Sequence, residues 1–148
     1  MTERCFSPRC NECREKAMTI QVVPYSITID HDGKKYEVQI PELSVPRCQN
    51  CGQIAIDDDA SDQIDKAFRR TAGLLTPEEI RRLRIACGFR QQQEFAQCLG
   101  IGVSTLSRWE TGSQVQQRFH DRMLRAFLAI PAFREYLMSD TRPGLAIA

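Results

Sequence analysis

The rhythm of apolar and polar positions changes twice along this chain. Residues 1–17 carry no period. From residue 18 to 40 the apolar positions alternate: Ile20 and Val22, then Ile27 and Ile29, then Tyr36, Val38 and Ile40. A period of two puts alternate side chains on one face of a strand. Pro24 marks a bend. His31-Asp32-Gly33-Lys34 carries turn residues, with Gly33 able to take a positive φ. The spacing predicts a β-hairpin, then a short extended piece at 43–45 that leads to Pro46.

A helical period then takes over. Residues 57–70 begin with Asp57, Asp58, Asp59 and Asp62 and end with Arg69 and Arg70, the charge order that the helix dipole favours. Ile64 and Phe68 share one face, and Gly73 ends the helix. Thr76-Pro77-Glu78-Glu79 is a capping box with proline at the first helical position. Ile80, Leu83 and Cys87 then line one face up to Gly88. A second helix covers residues 91–99, with Phe95, Ala96 and Leu99 inward. Gly100-Ile101-Gly102 forms a tight turn into a third at 103–110, where Val103 and Leu106 are expected inside. A fourth spans about 115–129, and Pro131 separates it from a short fifth at 132–138. The fold class expected is α+β. A small zinc-bound β-hairpin domain with a connecting helix covers residues 1–72, an all-α five-helix domain covers 73–140, and a flexible tail covers 141–148.

Charge separates the two parts. Residues 1–70 hold ten basic and twelve acidic groups, whereas residues 71–148 hold ten basic and seven acidic ones. All ten basic residues of the second part are arginine, whose rigid fork of donors suits phosphates and guanine edges. The start, MTERCFSPRC, has no apolar run of signal-peptide length, and no stretch approaches the ~18–20 apolar residues of a spanning helix. A cytoplasmic protein is expected. Seven cysteines in that compartment call for metal, catalysis or burial rather than disulfides.

Four of them form two CxxC knuckles, Cys10-Asn11-Glu12-Cys13 and Cys48-Gln49-Asn50-Cys51. Two knuckles supply the four thiolates of a closed tetrahedral zinc site. The 34 residues between them exceed the usual ribbon spacing, but a hairpin runs out and back and returns the chain to its start. Either knuckle alone also reads as a redox dithiol. Cys5 is a possible substitute for Cys10, while Cys87 and Cys98 lie on inward helix faces. A closed four-thiolate site has no open position at which to activate water, so one structural Zn2+ per chain and no enzyme activity are expected. No catalytic residues stand out. His31 and His120 read as surface histidines, and Glu78, Glu79 and Asp57–Asp59 as helix-start charges.

The segment from Arg84 to Gly112 carries the strongest functional pattern. A short helix, a glycine turn and a second helix with its apolar positions hidden form a helix-turn-helix. Ser104 and Arg108 lie four apart on its outer side, with Thr105 and Ser107 beside them. Arg108 suits a bidentate pair with guanine, and Ser104 and Thr105 suit base edges or a thymine methyl. Gln92, Ser107 and Arg118 are the phosphate candidates. A solvated helical bundle serving as a protein-binding module is the rival reading. The stripe Phe119, Met123, Leu124, Phe127 and Leu128 is wider than one core face needs, which points to a dimer.

CxxC…CxxCG, LTPEEIRRLR and VSTLSRWETGSQVQQR together resemble the MqsA/YgiT-type antitoxins, bacterial regulators with a zinc finger and a helix-turn-helix, over roughly residues 10–138. The second half is also similar to the wider Xre/Cro-like class. The resemblance implies structural zinc on Cys10, Cys13, Cys48 and Cys51, and base reading by Ser104 and Arg108. It implies a homodimer on a palindromic double-stranded DNA operator. It further implies an autorepressing antitoxin of a type II toxin-antitoxin system, whose N-terminal domain binds a small toxin protein. A regulator with no toxin partner, or a zinc-ribbon interaction module, remains the alternative.

Overall fold

The structure, a computed structural model, describes residues 9–139. Cys5 and the tail 141–148 lie outside them. The chain divides into two units between Ala72 and Gly73, and the fold is α+β. The first unit holds strands β1 (Met18–His31) and β2 (Lys34–Cys48) and helix α1 (Asp58–Ala72). The second holds α2 (Pro77–Ala86), α3 (Gln92–Leu99), α4 (Val103–Thr111), α5 (Arg118–Ala129) and α6 (Pro131–Met138). Among the described residues, no helix is long and apolar enough to cross a membrane.

β1 and β2 form one antiparallel hairpin. Asp32 (φ 54°) and Gly33 (φ 71°) close it as a two-residue loop with both φ positive, a geometry that matches the twist of the strands. The hairpin is longer than the alternation predicted, because pairing continues from Val23↔Leu43 to Met18↔Cys48. The register shift between Val23 and Tyr25 sets Pro41 and Glu42 opposite Pro24. This bulge absorbs two prolines that cannot donate to the ladder. It also lets Ile40 and Leu43, three apart, face the same side. There they join Val23, Val38 and Val45 in a core closed by Ala60, Ile64, Ala67 and Phe68 of α1. Gln63 binds both backbone groups of Ser44, accepting from its N–H at 3.1 Å, and so covers the outer edge of β2.

Ile20 and Val22 of the alternating pattern are 58% and 63% exposed, because α1 covers only one face of the two-stranded sheet. One expectation about this unit is corrected. His31 is not a surface turn residue. It ends β1, and its ring meets Phe68 edge-on at 5.2 Å.

In the second unit, the expected capping box starts α2. Thr76 Oγ1 accepts from the Glu79 N–H, and Glu79 Oε2 accepts from the Thr76 N–H at 2.8 Å. Leu75, Ile80, Leu83, Phe95, Ala96, Leu99, Leu106, Trp109, Leu124 and Phe127 form the core. Cys87 and Cys98 pack against it, half-buried. Burial pushes both thiols up from the ordinary value.

Two polar clusters sit inside this core. Arg84 of α2 donates to both carboxylate oxygens of Glu110 on α4, at 2.7 and 3.1 Å, and to the Phe89 and Arg90 carbonyls. Asp121 of α5 accepts from the Leu75 N–H at 2.7 Å, from Gln116 and from Arg125. The second cluster explains why α5 starts at Arg118 and not near residue 115: Gln116 is drawn inward to the Leu75 carbonyl at 2.8 Å. Of the expected stripe, only Leu124 and Phe127 are fully buried, whereas Phe119 is 71% exposed. His120 is not a surface residue. Its ring meets Trp109 in a tilted contact at 5.0 Å, and its Nδ1 is buried.

Removing one partner of a buried ion pair strands the other charge. Glu110→Ala is expected to cost about 3–5 kcal/mol in urea unfolding. The double change Arg84→Met with Glu110→Leu is expected to cost clearly less than that.

Candidate metal centre and nucleic-acid interface

The hairpin register brings the two knuckles together. Met18 pairs with Cys48, and the Gln49 N–H donates to the Ala17 carbonyl at 2.8 Å, so the end of β2 lies beside the chain that follows Cys13. Within the first knuckle, the Arg14 N–H donates to the Cys10 carbonyl at 3.0 Å. Within the second, the Gly52 N–H donates to the Cys48 carbonyl at 2.9 Å. The four sulfurs of Cys10, Cys13, Cys48 and Cys51 lie within 4.8 Å of one another. The Cys10–Cys51 pair is at 3.5 Å and the Cys13–Cys48 pair at 3.6 Å. A tetrahedron of ~2.3 Å Zn–S bonds has edges of ~3.8 Å. The donor set and its spacing therefore suit a metal ion such as zinc.

The thiols differ sharply in acidity. The Asn50 side chain and the Glu15 backbone, helped by neighbouring thiols, lower Cys13 to about 6. At Cys51 a bond from the Gln53 backbone favours the thiolate, but desolvation and the Cys10, Cys48 and Cys13 sulfurs together outweigh it and push the group up to about 12. Four sulfurs this close cannot all be thiolates without a cation among them, and a bound divalent ion deprotonates a coordinating thiol outright.

In the second unit α4 sits against α2 and α3. The turn from α3 depends on Gly100, whose φ of 73° is left-handed and strained for residues with a side chain. Leu106 and Trp109 anchor α4 in the core, and Glu110, next to Trp109, holds its C-terminal end through Arg84. The opposite face carries Ser104 and Arg108, both exposed, with Ser107 half-buried beside them. Thr105 is half-buried and lies toward the rear of the helix. Gln92 is not fully open: its amide donates to Glu110 Oε2 at 2.9 Å, leaving one N–H of its NH2 for another acceptor. Gln91, exposed at the α3 N-cap, makes no side-chain capping bond. Arg118 donates to the Gly73 carbonyl at 3.4 Å.

The residue that the sequence reading missed is Arg84. It lies four positions after Ile80, so a charged group on the apolar face of α2 was the available signal. Its partner Glu110 ends the Ser-Arg-Trp-Glu run already noted.

Fold and geometry define a helix-turn-helix protein with a four-cysteine cluster of metal-site form. Residues 78–136 match the family described as a helix-turn-helix domain. No curated protein matches the chain. The helix-turn-helix domain supports a DNA-binding regulator.

Metal binding requires deprotonated ligands, so acid should release it. Elemental analysis is expected to find one zinc per chain at neutral pH. Acidification should release it, and Cys48→Ser should fail to retain it.

Proposed function

We propose that this chain is a sequence-specific, DNA-binding transcription regulator of the cytoplasm. In this reading α4 lies in the major groove, and zinc on Cys10, Cys13, Cys48 and Cys51 holds the N-terminal unit together. The observation that carries it is the outer side of α4: Ser104 and Arg108 are exposed while Leu106 and Trp109 are sealed in the core. Arg108 pairs with a guanine and Ser104 with a neighbouring base edge, with Thr105 as a weaker contact. Ser107, Arg118 and the remaining N–H of Gln92 face the phosphates. Four thiolates fill the zinc shell, so the metal is structural and the protein is not an enzyme.

The exposed Phe119, Leu128 and Ile130 around α5 support a homodimer, and hence a palindromic operator that the protein represses. The finer reading, an autorepressing antitoxin, rests on the resemblance to the MqsA/YgiT-type family. It is favoured by one observation: Ile20 and Val22 leave an apolar patch open on the uncovered hairpin face, where a toxin protein could seat.

Selection from random DNA, at stated salt, should return two half-sites about one helical turn, ~10 bp, apart or a multiple of it. Arg108→Ala should cost about 1–3 kcal/mol on that site and relax one base position. An equal loss on random DNA would make Arg108 a phosphate contact instead. The antitoxin reading expects the product of an adjacent gene to co-purify with the full chain; a chain purified alone from cells expressing both would dismiss it.

A further inference from the structure

We propose that Val103 is a specificity-determining residue that reads the C5-methyl group of a thymine; this rests on the DNA-binding reading above. The apolar pattern placed Val103 inside with Leu106, but it is 45% exposed. The reason lies in its position along the helix as well as around it. At 100° per residue, Val103 and Glu110 lie within about 20° of each other in projection. The Glu110 side chain, two turns on, is buried against Arg84. Val103, at the start of α4, is thus exposed on the same line of the helix where Glu110 is covered.

That first turn is the part of a recognition helix that contacts base edges. Val103 lies about 40° from Ser107 around the axis, at the edge of the outward side that Ser104, Ser107, Arg108 and Thr111 make up. It is the one apolar residue among these five. The others offer hydrogen-bond donors or acceptors, and only Val103 offers two methyl groups and nothing polar. In the major groove the thymine methyl is the apolar feature that distinguishes bases. The charge and exposure of the face therefore assign Arg108 and Ser104 to hydrogen-bonded edges and Val103 to a methyl.

The test uses the full chain and the site selected from random DNA. Each thymine of that site is replaced singly by deoxyuridine, which removes only the methyl. Binding is measured for the protein and for its Val103→Ala and Val103→Ile variants. One thymine per half-site should be found where loss of the methyl weakens the protein and Val103→Ile about four-fold, the worth of one buried methyl, and leaves Val103→Ala unchanged. Unfolding midpoints should agree among the three, since the side chain is not in the core. If no uracil position distinguishes the protein from Val103→Ala, the methyl assignment is overturned while sequence-specific binding stands. If no sequence is selected at all, the DNA-binding reading falls and this inference with it.

Discussion

The second unit depends on a charge pair placed where charge is expensive. Arg84 and Glu110 are nearly sealed from solvent, with side chains 6% and 4% exposed. Two ions inside a core are tolerated only when their remaining donors and acceptors are matched. Here they are: Arg84 also holds the Phe89 and Arg90 carbonyls, and Glu110 also holds Gln92. One pair thus fixes the end of α2, the turn after it, the start of α3 and the C-terminal end of α4. Leu106 and Trp109 make α4 adhere, but apolar contact is not directional. The ion pair supplies the direction, and so decides which side chains of α4 look outward.

An analogous constraint governs the first unit, with sulfur in place of charge. Cys10 and Cys13 are separated by 34 residues from Cys48 and Cys51. They meet because β1 and β2 pair all the way to Met18↔Cys48. A slip of one residue would turn every side chain to the other face, exposing Val38 and Leu43. The bulge at Pro41 and Glu42 is the device that keeps both ends of the hairpin in register with one core. Cys13 is lowered chiefly by the Asn50 side chain and the Glu15 backbone, whereas at Cys51 desolvation and the three neighbouring sulfurs outweigh the Gln53 backbone bond and raise the thiol.

The two units support one functional picture by different routes. Outward polarity on α4 gives it a surface for a nucleic acid, and the matched helix-turn-helix residues include that whole helix. The cysteine cluster offers a way to stabilise a unit whose sheet has only two strands and one covering helix. Such a small core benefits from a metal that contributes folding energy directly.

What the sequence determined by itself was everything governed by near neighbours along the chain. The Asp32-Gly33 turn, the Thr76–Glu79 capping box, the glycine stop at Gly100 and the acidic-to-basic order of α1 each involve residues within a few positions or one helix, so their energies can be read locally. The α+β class and the five helices of the second unit followed from these. Tertiary structure decided which apolar and polar groups were covered. It opened Ile20, Val22, Val103 and Phe119, tucked His31 against Phe68 and His120 against Trp109, drew Gln116 inward and engaged Gln92 with Glu110. Periodicity names a direction around a helix or strand. Burial also depends on how far a partner element extends along it, and that length is set by residues distant in sequence.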